Sequence, residues 1–205
     1  FTDSLLVGHS TTGTLNAAED NTGVGIDALD ALTSGDNNTA VGSAAGSAIN
    51  SGIRNTVIGS IAGDAVTTGR MTTAVGYSAL TTVSTNDYNT AVGAYTLSAA
   101  TGVSNTALGK SAGALVAAGA YNIMLGYQAG DNITSGDGNV CIGVDADPSS
   151  ATGDRQLIIQ GSDTSTTTTW ITGDSSGNLV FPADVTLGDD LVLDSDSAVL
   201  KFGDD

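Results

Sequence analysis

The residues in this chain that could do chemistry are mostly aspartates. Of 22 acidic residues, 21 are Asp, set against five Lys and Arg and one His. Glycoside hydrolysis needs two carboxylates about 5–10 Å apart beside a sugar-binding cleft. Asp20, Asp36, Asp64, Asp87, Asp131, Asp137 and Asp154 instead lie scattered near turns, with no insertion long enough to wall a cleft. They read as solvated turn residues. Asp145, Asp147 and Asp154, or Asp194 and Asp196, could offer oxygen ligands to Ca²⁺, but neither the twelve-residue loop spacing nor a Gly-Gly-x-Gly-x-Asp nonapeptide is present.

Other motifs are weaker. His9 is the sole histidine and has no evident Ser or Cys partner, so it reads as a surface residue and not the base of a triad. Cys141 is the sole cysteine, which rules out an intrachain disulfide. It stands where parallel segments carry Ala40, Val57 or Met124, and reads as a small buried hydrophobe. Gly23-Val24-Gly25-Ile26-Asp27-Ala28 has the letters of a dinucleotide fingerprint without the βαβ unit that would give them meaning. Asn132-Ile133-Thr134 is a glycosylation sequon by letter only. These signals predict no catalytic, cofactor or metal site, and no enzyme.

What organises the chain is a repeat. Asn38-Thr39-Ala40-Val41-Gly42 recurs as Asn55-Thr56-Val57-Ile58-Gly59, Asn89-Thr90-Ala91-Val92-Gly93 and further variants. The closing glycines, Gly8, Gly25, Gly42, Gly59, Gly76, Gly93, Gly109, Gly126 and Gly143, step by 17 residues except for one step of 16 between Gly93 and Gly109. A short fixed period without a helical face predicts a β-solenoid. Nine coils at about 4.8 Å per strand give a rod of about 43 Å over residues 4–156. The short step predicts one turn tightened between places 5 and 15, with Gly102 taking the corner glycine's role in place of Val103.

Counting from each Asn as place 1, three columns look like the core: place 4 (Val24, Val41, Ile58), place 8 (Ala28, Ala45, Ala62) and place 12 (Leu32, Ile49, Val66). Glycine at places 5 and 15 fits tight corners. Thr22, Thr39, Thr56, Thr73, Thr90 and Thr106 at place 2 share a strand face with place 4, since side chains alternate. That sharing argues against an outward Thr ladder of the ice-binding kind, and outward Thr-x-Thr pairs are absent. Place 3 (Ala40, Val57, Ala74, Met124, Cys141) is apolar too. If place 4 is inside, place 3 needs a cover, which predicts a homotrimer about a threefold axis; cover by the coil's own turn is the alternative. The Asn column predicts a ladder of stacked amides broken once, at Thr72.

Gln156-Leu157-Ile158-Ile159-Gln160 keeps the register, 17 residues after Asn139. A polar run from Thr164 to Thr169 precedes Trp170, and short strands at Leu179–Phe181, Val185–Leu187, Leu191–Leu193 and Val199–Phe202 follow, separated by Asp- and Gly-rich turns. The predicted division is a solenoid shaft over 1–155, a connector over 156–177 and an intertwined β-prism-like stalk over 178–205. The chain opens on Phe and ends in mid-pattern on Gly203-Asp204-Asp205, so it reads as a processed or partial product.

A net charge of −17 disfavours nucleic acid, whose phosphates need clustered Lys and Arg, and anionic membrane surfaces. No apolar run reaches the roughly 18 residues of a membrane helix.

Asn-Thr-Ala-Val-Gly-x-x-Ala-(Gly/Leu) with a Thr/Ser-Gly corner, clearest at Tyr77-Ser78-Ala79-Leu80 and Tyr127-Gln128-Ala129-Gly130, resembles the repeats of bacteriophage tail-fibre shafts that precede a self-cleaving intramolecular chaperone domain. It is more distantly similar to the head of trimeric autotransporter adhesins. The resemblance spans roughly residues 4–160. It implies a virion structural and adhesive fibre, trimeric, in contact with other fibre proteins and a host-surface receptor or glycan. The alternative it leaves is a bacterial surface adhesin or extracellular filament subunit.

Overall fold

The computed structural model describes residues 4–8, 18–82, 84–85, 87–163, 165–182 and 185. The predicted strands around Leu191 and Val199, together with His9, Asp194 and Asp196, lie outside them.

Each repeat contributes one three-residue strand. They run β1 (Leu5–Val7), β2 (Thr22–Val24), β3 (Thr39–Val41), β4 (Thr56–Ile58), β5 (Thr73–Val75), β6 (Thr90–Val92), β7 (Thr106–Leu108), β8 (Ile123–Leu125) and β9 (Val140–Ile142). β10 (Leu157–Ser162), β11 (Thr167–Gly173) and β12 (Leu179–Val180) follow, and one sheet holds all twelve in chain order. β1 to β10 pair in parallel, place on place: Ala40 opposite Val57, Ala74 opposite Ala91, Leu157 opposite Val140. This is a parallel β-solenoid with 17-residue turns and, among the described residues, no helix.

Three-residue strands cannot hold a sheet together alone, so the turns are stitched as well. Backbone N–H groups at places 2, 5, 7 and 9 reach carbonyls of a neighbouring coil, as in Thr39 to Asn55, Gly42 to Val24, Ala44 to Ile26 and Gly46 to Ala62, all at 2.8–2.9 Å. The corners need glycine. At place 5, Gly42 has φ 135°, and a Cβ there would come within 2.6 Å of the Gly59 backbone in the next coil. At place 15 a Cβ on Gly35 would meet the Gly52 carbonyl oxygen at 2.1 Å. No side chain fits such an approach.

The inward face is the opposite of the one the sequence suggested. Place 3 is inside: Ala40, Val57, Ala74, Ala91, Ala107, Met124 and Cys141 have no exposed surface, and neither do place 8 from Ala28 onward and Ile49, Val66, Ala100, Val116 and Ile133 at place 12, a column that ends on the exposed Ser150. Place 4 faces out, with Val24 and Val41 each 38% exposed and Leu108 52%. Place 2 threonines lie beside it, half-exposed. Place 3 is therefore covered by the coil's own turn, and the premise that led from place 3 to a trimer does not hold. The threonines face outward, so the ground for setting aside an outward Thr ladder falls too. Outward Thr-x-Thr pairs remain absent from the repeat, because Val, Ile or Leu stands at place 4 beside each place 2 Thr.

A further core column escaped the sequence reading. Place 9 points inward with a left-handed backbone, as Leu29 (φ 57°), Gly63 (φ 55°), Leu80 (φ 54°), Leu97 (φ 49°) and Gly130 (φ 62°). Its size trades against place 3. Leu80 and Leu97 share their coils with Ala74 and Ala91, whereas Gly63 and Gly130 share theirs with Val57 and Met124. A Cβ on Gly63 would meet Val57 Cγ1 at 2.7 Å, and one on Gly130 would meet Met124 Cγ at 2.6 Å. In the coils where both places are small, Ala40 with Gly46 and Ala107 with Gly113, neighbouring coils fill the space: a Cβ on Gly46 would meet Val57 Cγ2 at 2.9 Å, and one on Gly113 would meet Met124 Sδ at 2.7 Å.

The 16-residue coil has lost place 14. Asn89 donates to the Gly102 carbonyl 13 residues on, where the other coils span 14, and Thr101 and Gly102 meet Ala117 and Gly119 of the next coil. The strands on either side stay in register, with Ala91 opposite Ala107.

Val57→Asp places an unpaired charge in this dry core and is expected to cost on the order of 4 kcal/mol or more. Thr68→Asp, at an exposed place 14, is expected to cost under about 0.5 kcal/mol. Thermal melts followed by circular dichroism compare them; equal melting temperatures would refute the assigned inward face.

Candidate functional surface

The polar interior of the solenoid is one column of amides. Asn21, Asn38, Asn55, Asn89, Asn105, Asn122 and Asn139 are fully buried. Each side chain works in two directions. In Asn55 the Nδ2 donates to the Gly69 carbonyl of its own coil at 2.8 Å and to Asn38 Oδ1 at 3.0 Å, while the same Oδ1 accepts the Asn55 backbone N–H at 3.0 Å. Oδ1 thus takes two hydrogen bonds from the coil ahead, and the polar groups are satisfied without water. Gln156 ends the column in Asn fashion, its N–H reaching Asn139 Oδ1 at 2.8 Å and its Nε2 reaching the Gly153 carbonyl at 2.9 Å. At the break, Thr72 donates its backbone N–H to Asn55 Oδ1 but leaves its buried hydroxyl without a hydrogen-bond partner. These amides are fully buried and engaged by the protein's own backbone and side chains.

The aspartates divide by place. Those at place 16 bind backbone: Asp36 accepts the Glu19 N–H at 2.9 Å, Asp87 that of Arg70, Asp137 that of Ala120, and Asp154 that of Asp137. They join the corners of successive coils, a role the sequence reading missed. Its signal was the recurrence of Asp at place 16, after the place 15 glycine in Gly35-Asp36, Gly136-Asp137 and Gly153-Asp154 and after Asn86 at Asp87. Arg70 Nε stands 3.9 Å from Asp87, an exposed pair of small energetic weight.

Asp145, Asp147 and Asp154, considered together for Ca²⁺, do not converge. Among the described residues no group of three or more His, Cys, Asp or Glu side chains is placed to hold a metal ion. Asp147 accepts the Asn132 N–H at a long 3.4 Å, and burial, with Asp131 and Asp145 nearby, pushes its carboxyl up to about 6. Burial likewise raises Asp64, one of whose oxygens has no hydrogen-bond partner. Cys141 is fully buried, and its thiol is pushed up to about 12, so it is packed and unreactive. Gly23 and Gly25 belong to β2 and its corner, not to a strand–helix turn.

Past the last coil, Gln160 Nε2 donates to the carbonyls of Val144 and Asp145, both at 2.8 Å. In earlier coils the place 6 carbonyl takes the N–H of the following coil, as Ile26 takes that of Ala44. Gln160 thereby stands in for a coil that is not there. β11 turns back antiparallel on β10, with Trp170 laid over Gly161, and covers the edge of the sheet. A groove of about 210 Å³ lies here between Pro148 and Leu157 on one side and Thr172 and Val180 on the other. Its one carboxylate, Asp174, is engaged by the N–H groups of Ser176 and Asn178.

The outer surface is sharply divided. Places 2, 4 and 6 of the eight coils from Asn21 carry one charged residue, Lys110, although the chain is at −17. Exposed apolar residues line this strip, among them Ile26, Ile58, Tyr77, Leu108 and Tyr127. Tyr77 meets Tyr95 of the next coil edge to face at 5.3 Å, and Lys110 stands 5.8 Å over Tyr127. Carboxylates gather elsewhere, at place 10 (Asp30, Asp64, Asp131) and place 16.

Two outcomes follow. Thr72→Asn supplies the missing amide, and the melting temperature is expected to rise by a few degrees, reflecting about 1 kcal/mol for a repaired buried polar group. No rise would mean that the ladder does not limit stability. Asp64 and Asp147 have folded-state pKa values above the ordinary carboxylate value, so the folded state binds more protons and stability increases as pH falls from about 7.5 toward 5. Asp163 and Asp174 are held low by hydrogen bonds, and their contribution is lost only in stronger acid. Asp147→Asn should raise the melting temperature near neutral pH and flatten the slope; an unchanged pH profile would refute this assignment.

Compared with protein-family models, curated proteins and solved structures, the chain matches none.

Proposed function

We propose that this chain is the shaft of an extracellular fibre, a structural and adhesive element without enzymatic activity, and that the fibre is a bacteriophage tail fibre taking part in host attachment. The observation that carries the reading is the uniform stack: ten parallel strands in register, each coil satisfying its neighbour through the same backbone and amide hydrogen bonds. Such a design transmits position along an axis and adds length without changing cross-section. Ten strands at about 4.8 Å span about 43 Å. The Asn-Thr-Ala-Val-Gly repeat, similar to that of phage fibre shafts, supports the virion. On this reading its partners are other fibre proteins and, at the fibre's end, a host-surface receptor or glycan. The second reading, a bacterial surface adhesin or filament subunit, uses the same coil.

A spacer is tested by removing whole units. Deleting residues 39–55, one complete period, should leave a folded rod shorter by about 4.8 Å in small-angle scattering. Deleting residues 39–48 should unfold the stack, since it throws the Asn, glycine and strand columns out of register. A compact particle with no change in length would sink the shaft. Immunogold labelling with antiserum to this chain then separates the readings: gold along virion fibres supports the phage, and gold on bacterial surfaces supports the adhesin.

A further inference from the structure

The last coil leaves the repeat at one peptide bond, Asp147–Pro148. Place 9 is left-handed in every coil from Leu29 to Gly130, and not at Asp147. The cause is Pro148, whose ring pushes the residue before it toward extended backbone. An acid thus sits half-buried in a column that is otherwise Leu or Gly, and the proline after it is buried.

Two carboxyls meet beside this bond. Asp131, one coil earlier, hydrogen-bonds the Asp147 carboxyl, Asp145 adds its charge, and the Cys141 thiol of β9 lies within electrostatic reach; these are the titratable groups around Asp147 among the described residues. Two carboxyls this close do not both ionise freely, so one holds a proton for the other. Asn132, between the two coils, donates its backbone N–H to Asp147 and its Nδ2 to the Pro148 carbonyl at 3.0 Å, which ties both sides of the bond to one residue. We propose that the chain cuts itself once between Asp147 and Pro148, with the Asp147 carboxylate as nucleophile and the Asp131 carboxyl as proton donor. Every group this uses belongs to the last two coils, and the proposal does not depend on the shaft reading.

The chemistry closes with one water. Asp147 Oδ attacks its own main-chain carbonyl carbon and forms a five-membered anhydride. The bond to Pro148 breaks, its electron pair goes to the proline nitrogen, and the proton held by Asp131 leaves that nitrogen a neutral secondary amine. Water then opens the anhydride into the α- and β-carboxyls of Asp147, and its two protons are left among these and Asp131. Attack within one residue needs no second reactant to be brought in, so position replaces concentration. The groove that Pro148 and Ser149 help to line admits the water. After the cut β10 is still paired with β9, Leu157 opposite Val140, so the two pieces stay together until the fold is disrupted.

The step needs one proton on the pair, so its rate is expected to peak near pH 6, where the Asp147 carboxyl titrates, and to fall on either side. Intact-mass spectrometry and denaturing electrophoresis of the full chain, incubated from about pH 4 to 8, test this. The expected pieces are 1–147 and 148–205, with masses that add to that of the chain plus one water. Asp147→Ala and Pro148→Ala should remove the cut, and Asp131→Asn should slow it at least about tenfold and flatten the pH peak. Circular dichroism checks that each variant keeps its fold. The wild-type chain unfolded in guanidinium, with its two carboxyls apart, should stay whole at the same pH. A folded chain that stays whole overturns the proposal. So does cutting at an equal rate in the unfolded chain or in folded Asp131→Asn, which would be the ordinary acid lability of an Asp–Pro bond.

Discussion

Everything in this molecule depends on one close approach, that of each coil to the next at the glycine corners. Backbone meets backbone where a Cβ would sit 2.1–2.6 Å from the neighbouring coil, so the corner columns are glycine and the coils cannot slide. The amide ladder fixes the same registration from inside. A buried Asn needs one acceptor in its own coil and one in the coil before, and only a repeat of constant path supplies both. The period is therefore held by several independent constraints that agree. The 16-residue coil shows where the path has slack: place 14 is exposed and belongs to neither ladder nor corner nor strand, so its loss leaves the columns aligned.

A narrow coil exacts strain for its curvature. Places 7, 9 and 17 are left-handed in coil after coil, even where the residue is Ile61 (φ 50°), Tyr95 (φ 59°) or Tyr121 (φ 61°). Such conformations cost roughly 1 kcal/mol or more each outside glycine. They persist because hydrogen bonds to the neighbouring coils over-determine them; the Ile61 N–H, for example, donates to the Ser43 carbonyl at 2.9 Å. Stability is thus cooperative along the axis, and the ends need special residues. After the last coil Gln160 supplies one, its side chain imitating the bonds that a further coil would have made to the Val144 and Asp145 carbonyls.

The outside of the solenoid divides by charge. Carboxylates at place 16 tie corners, at a distance from the strand face. The strand face carries almost no charge over its length. Among the described residues no group of three or more His, Cys, Asp or Glu side chains is placed to hold a metal ion, and the buried amides of the Asn column are engaged by the fold.

The sequence alone determined the architecture, because the period is covalent information. The glycine steps, the Asn column with its Thr72 break, the register of Gln156 and the exchange of Gly102 for Val103 are all statements about spacing, and the structure repeats them. Spacing could not say which side of a three-residue strand is inside. Alternation tells which residues share a face, and with Ala at place 3 and Val at place 4 both faces looked apolar. Tertiary structure decided it, since the buried amide at place 1 must reach the Gly carbonyl of its own coil and carries place 3 inward with it. The bulkier Val41 and Ile58 are then left outside a core too thin for them. The polar Thr at place 2 was the one sign of this in the sequence. The place 9 column was hidden for a related reason: Leu and Gly alternate there without a pattern of their own, and only contact with Val57 and Met124 shows that the two columns share one space.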